Sequence, residues 1–322
     1  MNIISANEKE LYKIIKKNYN FNISECYLSK ISIDVFDKFK YLLNNDTYFD
    51  WNFCKEYINK CKISYHIRYK NINFFIISDK NLTNKSKTDF LNCIYRVYLI
   101  KYLYNIKPQQ ALNYYILLNP LKRRLPKRKK DIIKSENING GFTYINSNNI
   151  YIVRKEDYEK VALHELLHHC NIIHNENWKY KNINTLKKLC KIDQTQIFIP
   201  NEAIIETFAI ILNVIFKSIE NNLPFKTILA KDREHSIAIA KKIIDKQDNN
   251  LWKENSHSYC YIVLRAVFYI YFKEFIKSYN IINDDEVTAF ICKYFPKIIK
   301  KLEMAKNITR DKSIKQTIFN NF

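Results

Sequence analysis

The stretch VALHELLHHC, residues 161–170, sets three of the chain's seven histidines beside a glutamate. His164, Glu165 and His168 spell H-E-x-x-H. On a helix, positions four apart share a face, so His164 and His168 can offer two imidazole nitrogens to one Zn2+ while Glu165 projects beside it. Such a glutamate can take the proton of a zinc-activated water as it attacks a carbonyl, because zinc lowers the pKa of bound water to about 7. His169 points off that face at helical spacing. Val161, Leu163, Leu166 and Leu167 would seat the helix in a core, and the alternative reading is an ordinary cluster of core histidines.

A catalytic zinc takes three protein ligands and keeps one position open. His174 completes H-E-x-x-H-x-x-N-x-x-H, the metzincin spacing, with Asn171 where glycine usually lets the chain turn. Asparagine tolerates the left-handed conformation, so the turn is feasible. That pattern also needs a methionine beneath the metal, and the one internal methionine, Met304, lies far downstream in KKLEMAKN. The other candidates are Glu202 and Glu206 in IPNEAIIETFAIILNVIF, four apart on a strongly apolar helix. A carboxylate there needs a partner, which a zinc with its histidines would supply. Glu202, just after Pro200, could merely favour the helix dipole. Glu206 lies a turn deeper, where that account fails, so it is the preferred ligand, with Glu202 as its alternative or as a hydrogen-bonding partner of a histidine.

An oxyanion formed during hydrolysis needs a donor. SHSYCYIVLRAVFYIYF offers His257, Tyr259, Tyr261 and Arg265, of which His257 and Tyr259 are the leading candidates. His66 and His235 fall outside any motif and read as surface or core residues.

The elements that must position these groups are legible from periodicity. Residues 1 to about 60 read as a helical N-terminal region, from EKELYKIIKKNY, IDVFDKFKYLL and DWNFCKEYINKC. ISYHIRY (63–69) and INFFIIS (72–78) read as strands joined by a tight turn, followed by a helix through DFLNCIYRVYLIKYLYN. NYYILLN (113–119) and NIYIV (149–153) read as further strands, the latter leading into the motif helix. Beyond it, helices are expected near 181–191, 200–219, 225–246, 251–277 and 285–303. The predicted class is α+β: a small mixed sheet packed on the motif helix (61–175) and a mainly helical C-terminal half (176–322), together one domain over 61–322.

Taken together, YYILLN, LPK, NINGGFTY, IYIVRKEDYEKVALHELLHH and EAIIETFA resemble the glutamate-ligand zincins, the gluzincin-type metallopeptidases. More narrowly, they are similar to a predicted metallopeptidase family of nucleocytoplasmic large DNA viruses. The resemblance covers about residues 113–210. It implies a zincin-like fold, zinc held by His164, His168 and Glu206, and Glu165 as general base. It also implies a viral protein acting on a protein or peptide in the host cytoplasm or virion. Gly140 and Gly141, the chain's two glycines, would lie by an edge strand along which an extended substrate is laid, where glycine permits close backbone approach.

Composition bounds the rest. The 322 residues are 47% hydrophobic, ample for a core, and rich in Asn, Ile, Lys and Tyr, a bias that an AT-rich genome explains. The start lacks a signal-peptide core, no apolar run reaches a membrane span, and eight scattered cysteines form no C-x-x-C pair. An intracellular, non-secreted protein with reduced thiols is therefore expected. The formal charge is +21, and the densest basic run, KRRLPKRKK, holds Lys122, Arg123, Arg124, Lys127, Arg128, Lys129 and Lys130. It reads as a solvated loop around Pro126, as a nucleic-acid patch, or as a nuclear signal. The rival to a peptidase is a non-catalytic basic protein that keeps a zincin scaffold and binds nucleic acid or serves viral assembly. Zinc-dependent hydrolysis of a non-peptide substrate also stays open.

Overall fold

A computed structural model describes residues 5–45, 51–104, 111–144, 147–171, 178–248, 250–305 and 311–319. The fold is mixed, with a six-stranded mixed sheet, a two-stranded ladder and twelve helices among the described residues. It divides into two compact units, one built from residues 14–122, 139–170 and 319–322, the other from 1–13, 123–138 and 171–318.

The first unit holds the sheet. After α1 (Glu8–Asn18), whose length straddles the division, come β1 (Tyr27–Ile31), α2 (Asp37–Asn45), α3 (Asn52–Ile58), β2 (Ile63–Tyr69), β3 (Ile72–Ser78), α4 (Asn84–Leu103) and β4 (Leu112–Leu117). Strands β6 (Gly141–Thr143) and β7 (Asn149–Ile152) and helix α6 (Tyr158–His169) complete it. The order is β1-β2-β3-β4-β7-β6, parallel for β3-β4 and β4-β7 and antiparallel elsewhere. The β2-β3 turn forms as expected, with Lys70 left-handed at φ 51°. β1 was not expected, since residues 1 to about 60 read as helical. Its sequence YLSKI is too short and polar to announce a strand, and its pairing along β2, Tyr27 opposite Arg68 through Ile31 opposite Ser64, defines it.

Alternation along the strands gives the sheet two buried faces. Ile67, Phe74, Ile76, Tyr114, Ile116, Ile150 and Ile152 are fully buried on the face served by α4 and α6. On the other, Phe36, Phe39, Trp51 and Cys54 of the α2-α3 region pack on Ile77, Leu117, Tyr151 and Val153. Across that face His66, Phe75, Tyr115, Tyr151 and Phe142 stand in register on five neighbouring strands, successive ring centroids 4.8, 5.2, 5.4 and 4.9 Å apart. Such cross-strand stacking fixes register, because a slip of one residue would turn every ring to the wrong face.

The second unit is helical. It comprises β5 (Ile133–Lys134), α5 (Ser135–Ile138), α7 (Tyr180–Leu189), α8 (Asn201–Glu220), α9 (Phe225–Gln247), β8 (Glu254–Asn255), α10 (Arg265–Ile270), α11 (Phe272–Ser278) and α12 (Asp284–Met304). α8 is buried almost all round, as a helix apolar on every face must be. It packs on α9, on α10 and on a π-helical turn over Tyr259–Leu264. The expected helix over 251–277 is therefore interrupted. Glu254 accepts from the backbone N–H groups of Ser258 at 2.7 Å and Tyr259 at 3.1 Å, so β8 and the turn replace its first part.

All eight cysteines are free, five of them buried. No described helix is long and apolar enough to cross a membrane.

One ion pair joins α6 to α4: Arg96 Nη1 lies 3.5 Å from Glu159 Oε2, with both side chains all but fully buried. Removing one member of such a pair strands the other's charge. Glu159→Ala should cost about 3–5 kcal/mol of unfolding free energy in urea titration; a loss below about 1 kcal/mol would show that the pair does not anchor α6.

Candidate metal centre

The H-E-x-x-H segment forms the C-terminal half of α6. Asp157, at φ 58°, starts the helix from a left-handed residue, a conformation short polar side chains tolerate. Tyr114 Oη donates to Ala162 O at 3.2 Å and pins the helix to β4. Gly141 sits where a side chain has no room. A Cβ there would lie 2.7 Å from Tyr151 O, 2.7 Å from Val161 Cγ1 and 3.3 Å from Glu165 Cγ. The edge strand β6 thus comes against α6 beside Glu165 itself. Gly140 is buried, and its carbonyl accepts from Val153 N at 2.9 Å.

His164 and Glu165 are each 6% exposed, whereas His168 is half-buried. The two Nε2 atoms of His164 and His168 are 3.1 Å apart. Two nitrogens bound to one tetrahedral zinc at 2.0–2.1 Å stand about 3.4 Å apart, so the pair is close to the spacing a shared ion demands. Two imidazoles and a carboxylate are a donor set that suits Zn2+.

Glu206, the third ligand preferred from the sequence, has a partner within its own unit. Glu206 is 1% exposed, and its Oε1 lies 3.7 Å from Nη1 of the fully buried Arg265. Arg265 also donates to Ser236 Oγ at 3.2 Å and Gln316 O at 3.4 Å. The deep carboxylate does have the partner its burial requires, but that partner is a guanidinium. Glu202 lies one turn nearer the start of α8 and is half-buried. An arginine inside the apolar run YIVLRAVFYIY was the available signal, since such a cation must find an acid.

The remaining candidates separate clearly. His169 Nδ1 faces Ser147 O at 3.0 Å, and burial, with Lys101 nearby, holds its pKa below the usual histidine value. It belongs to the sheet unit's packing. His174 lies outside the described residues, but Asn171 is left-handed at φ 46°, as the turn expected there requires. Met304 ends α12 and is 77% exposed. Tyr259 is buried, and its hydroxyl donates to Cys190 O at 3.2 Å, which ties up the proton an oxyanion would need. His257 is half-buried, edge-on to Tyr261 at 6.1 Å. His66 pairs with Asn73 Oδ1 at 2.9 Å and His235 with Lys315 O at 2.7 Å, both structural.

Comparison with protein-family models, curated proteins and solved structures returned no match. The geometry therefore carries the functional argument alone.

Gly141→Ala should destabilise the protein by about 1–3 kcal/mol, the cost of overpacking a dense contact. Chemical denaturation of metal-free protein checks this; an unchanged midpoint would mean that β6 and α6 can part without penalty.

Proposed function

We propose that the protein is a zinc-dependent metallopeptidase of zincin type, with zinc held by His164, His168 and Glu202 and with Glu165 as general base. The observation that carries the reading is the approach of the two Nε2 atoms to 3.1 Å on α6, with the buried Glu165 beside them; Glu202 is assigned as third ligand because Glu206 is engaged by Arg265. A bound zinc would supply Lewis acidity and an acidified water near neutral pH.

The chain's own residues supply the rest. Glu165 follows the first histidine directly on α6, where its carboxylate can accept the proton of the attacking water and pass it to the departing amine. Its burial beside β6 restricts its rotamers, which favours one productive orientation. Among the described residues β6 pairs only with β7, so its other edge can pair with an extended peptide backbone. A peptide laid there would pass Gly141 and hence Glu165. The gluzincin resemblance, and with it the viral origin and the host cytoplasm or virion as the place of action, forms part of this proposal.

Metal analysis should return about one zinc per chain, largely lost in His164→Ala and His168→Ala. Glu202→Ala should weaken zinc binding far more than Glu206→Ala, which should instead destabilise the fold by leaving Arg265 without its carboxylate. If His174→Ala alone releases the metal, the third ligand is the imidazole and the carboxylate assignment fails. Glu165→Gln should keep the zinc and slow hydrolysis of a quenched peptide library by on the order of 10²–10⁴-fold. A metal-free wild-type protein would sink the proposal.

A further inference from the structure

The basic run is an irregular and mostly exposed loop, as expected, but it is anchored at several points. Arg124 bridges Ser313 in antiparallel fashion, Leu125 N donates to Lys312 O at 2.9 Å, and Ile314 N donates to Arg123 O at 3.1 Å. Arg123 itself is buried, its Nε donating to Ile138 O at 2.7 Å. Lys246 reaches in from α9 and donates to the carbonyls of Lys129 and Asp131, both at 2.6 Å. Part of the run is thus spent on structure, Arg123 by its burial and Arg124 and Leu125 by their backbone pairing.

What remains is a shaped, charged cleft within the helical unit, of about 1020 Å3. That is at the upper end of the volumes that enclose small ligands, so its natural occupant is extended. Arg124, Lys127, Arg128, Lys134 and Lys312 line it, against Asp131, Glu136 and Asp311. Arg128 is held by Asp131 at 3.1 Å, and Lys312 by the carbonyl of Lys127. Arg124, Lys127 and Lys134 are exposed, and among the described residues none of the three side chains is engaged by an acid. Burial holds Lys246 below the usual lysine value, against the opposing effect of the Asp131 carboxylate.

We infer that this cleft binds the phosphate backbone of double-stranded nucleic acid, without reading its sequence. The phosphodiester backbone is the extended polyanion that rows of fixed cations match, and each neutralised phosphate releases counterions. The lining favours a duplex over a single strand. Single-strand sites interleave cations with aromatic rings on which bases stack, and no ring lines this cleft. The site is separate from the proposed metal centre and does not depend on it.

The test is fluorescence anisotropy of the full chain with a 20-base-pair DNA duplex, titrated across 50–200 mM salt. Wild type should bind with steep salt dependence. The triple variant Arg124→Ala, Lys127→Ala, Lys134→Ala should bind at least about tenfold more weakly, with the slope of log K against log salt reduced by about two to three. A charge-matched control, Lys293→Ala, Lys297→Ala, Lys300→Ala on the exposed side of α12, should lose no more than about threefold; unchanged circular dichroism and melting exclude misfolding. Equal losses in both triples would assign the affinity to diffuse surface charge and overturn the inference. So would tighter binding of a single strand of the same length, or no duplex binding by wild type at 50 mM salt.

Discussion

Two imidazole nitrogens 3.1 Å apart on a buried helix impose the central constraint. Left to themselves, two lone pairs at that separation repel; a shared proton or a shared cation must lie between them. Everything around α6 serves to keep that geometry from relaxing. The Arg96–Glu159 pair fixes one side of the helix, Tyr114 fixes a carbonyl of its middle turn, and Gly141 lets the neighbouring strand approach where any side chain would hold it away. A helix anchored at so many points cannot rotate its histidines apart cheaply.

α8 shows how charge is sorted along one helix. Its two glutamates stand one turn apart in an otherwise apolar sequence. Glu206, the deeper one, is all but fully buried and must be compensated, which Arg265 does from 3.7 Å. Glu202, a turn nearer the start of the helix, is half-buried and meets a weaker demand.

The strands and the motif helix could be read before the fold was known because their signals are local. ISYHIRY and INFFIIS carry β-branched and aromatic residues at strand spacing, and VALHELLHH carries its apolar residues at helix spacing. The features that escaped are those decided by distant partners. β1 is a strand because β2 has a free edge. The start of the 251–277 segment departs from a helix because Glu254 captures N–H groups that the helix would have used. The burial of Glu206 was legible locally, but its pairing with an arginine 59 positions later was not. In the basic run, composition suggested uniform solvation, whereas the paired segment 311–315 takes Arg123 inside and leaves Arg124 out.

The division of the chain carries a consequence for its folding. Each compact unit is assembled from three separate segments, so the backbone passes from one to the other five times. The sheet unit is all but complete once residue 170 has been made, whereas the helical unit joins residues 1–13 and 123–138 to 171–318 and must await the C-terminal half. Native contacts of such high sequence separation slow folding and prolong the life of partly assembled states. A truncation at residue 61, the boundary suggested by the linear sequence, would strip β1, α2 and α3 from the sheet unit and bare the apolar face that α2 and α3 cover.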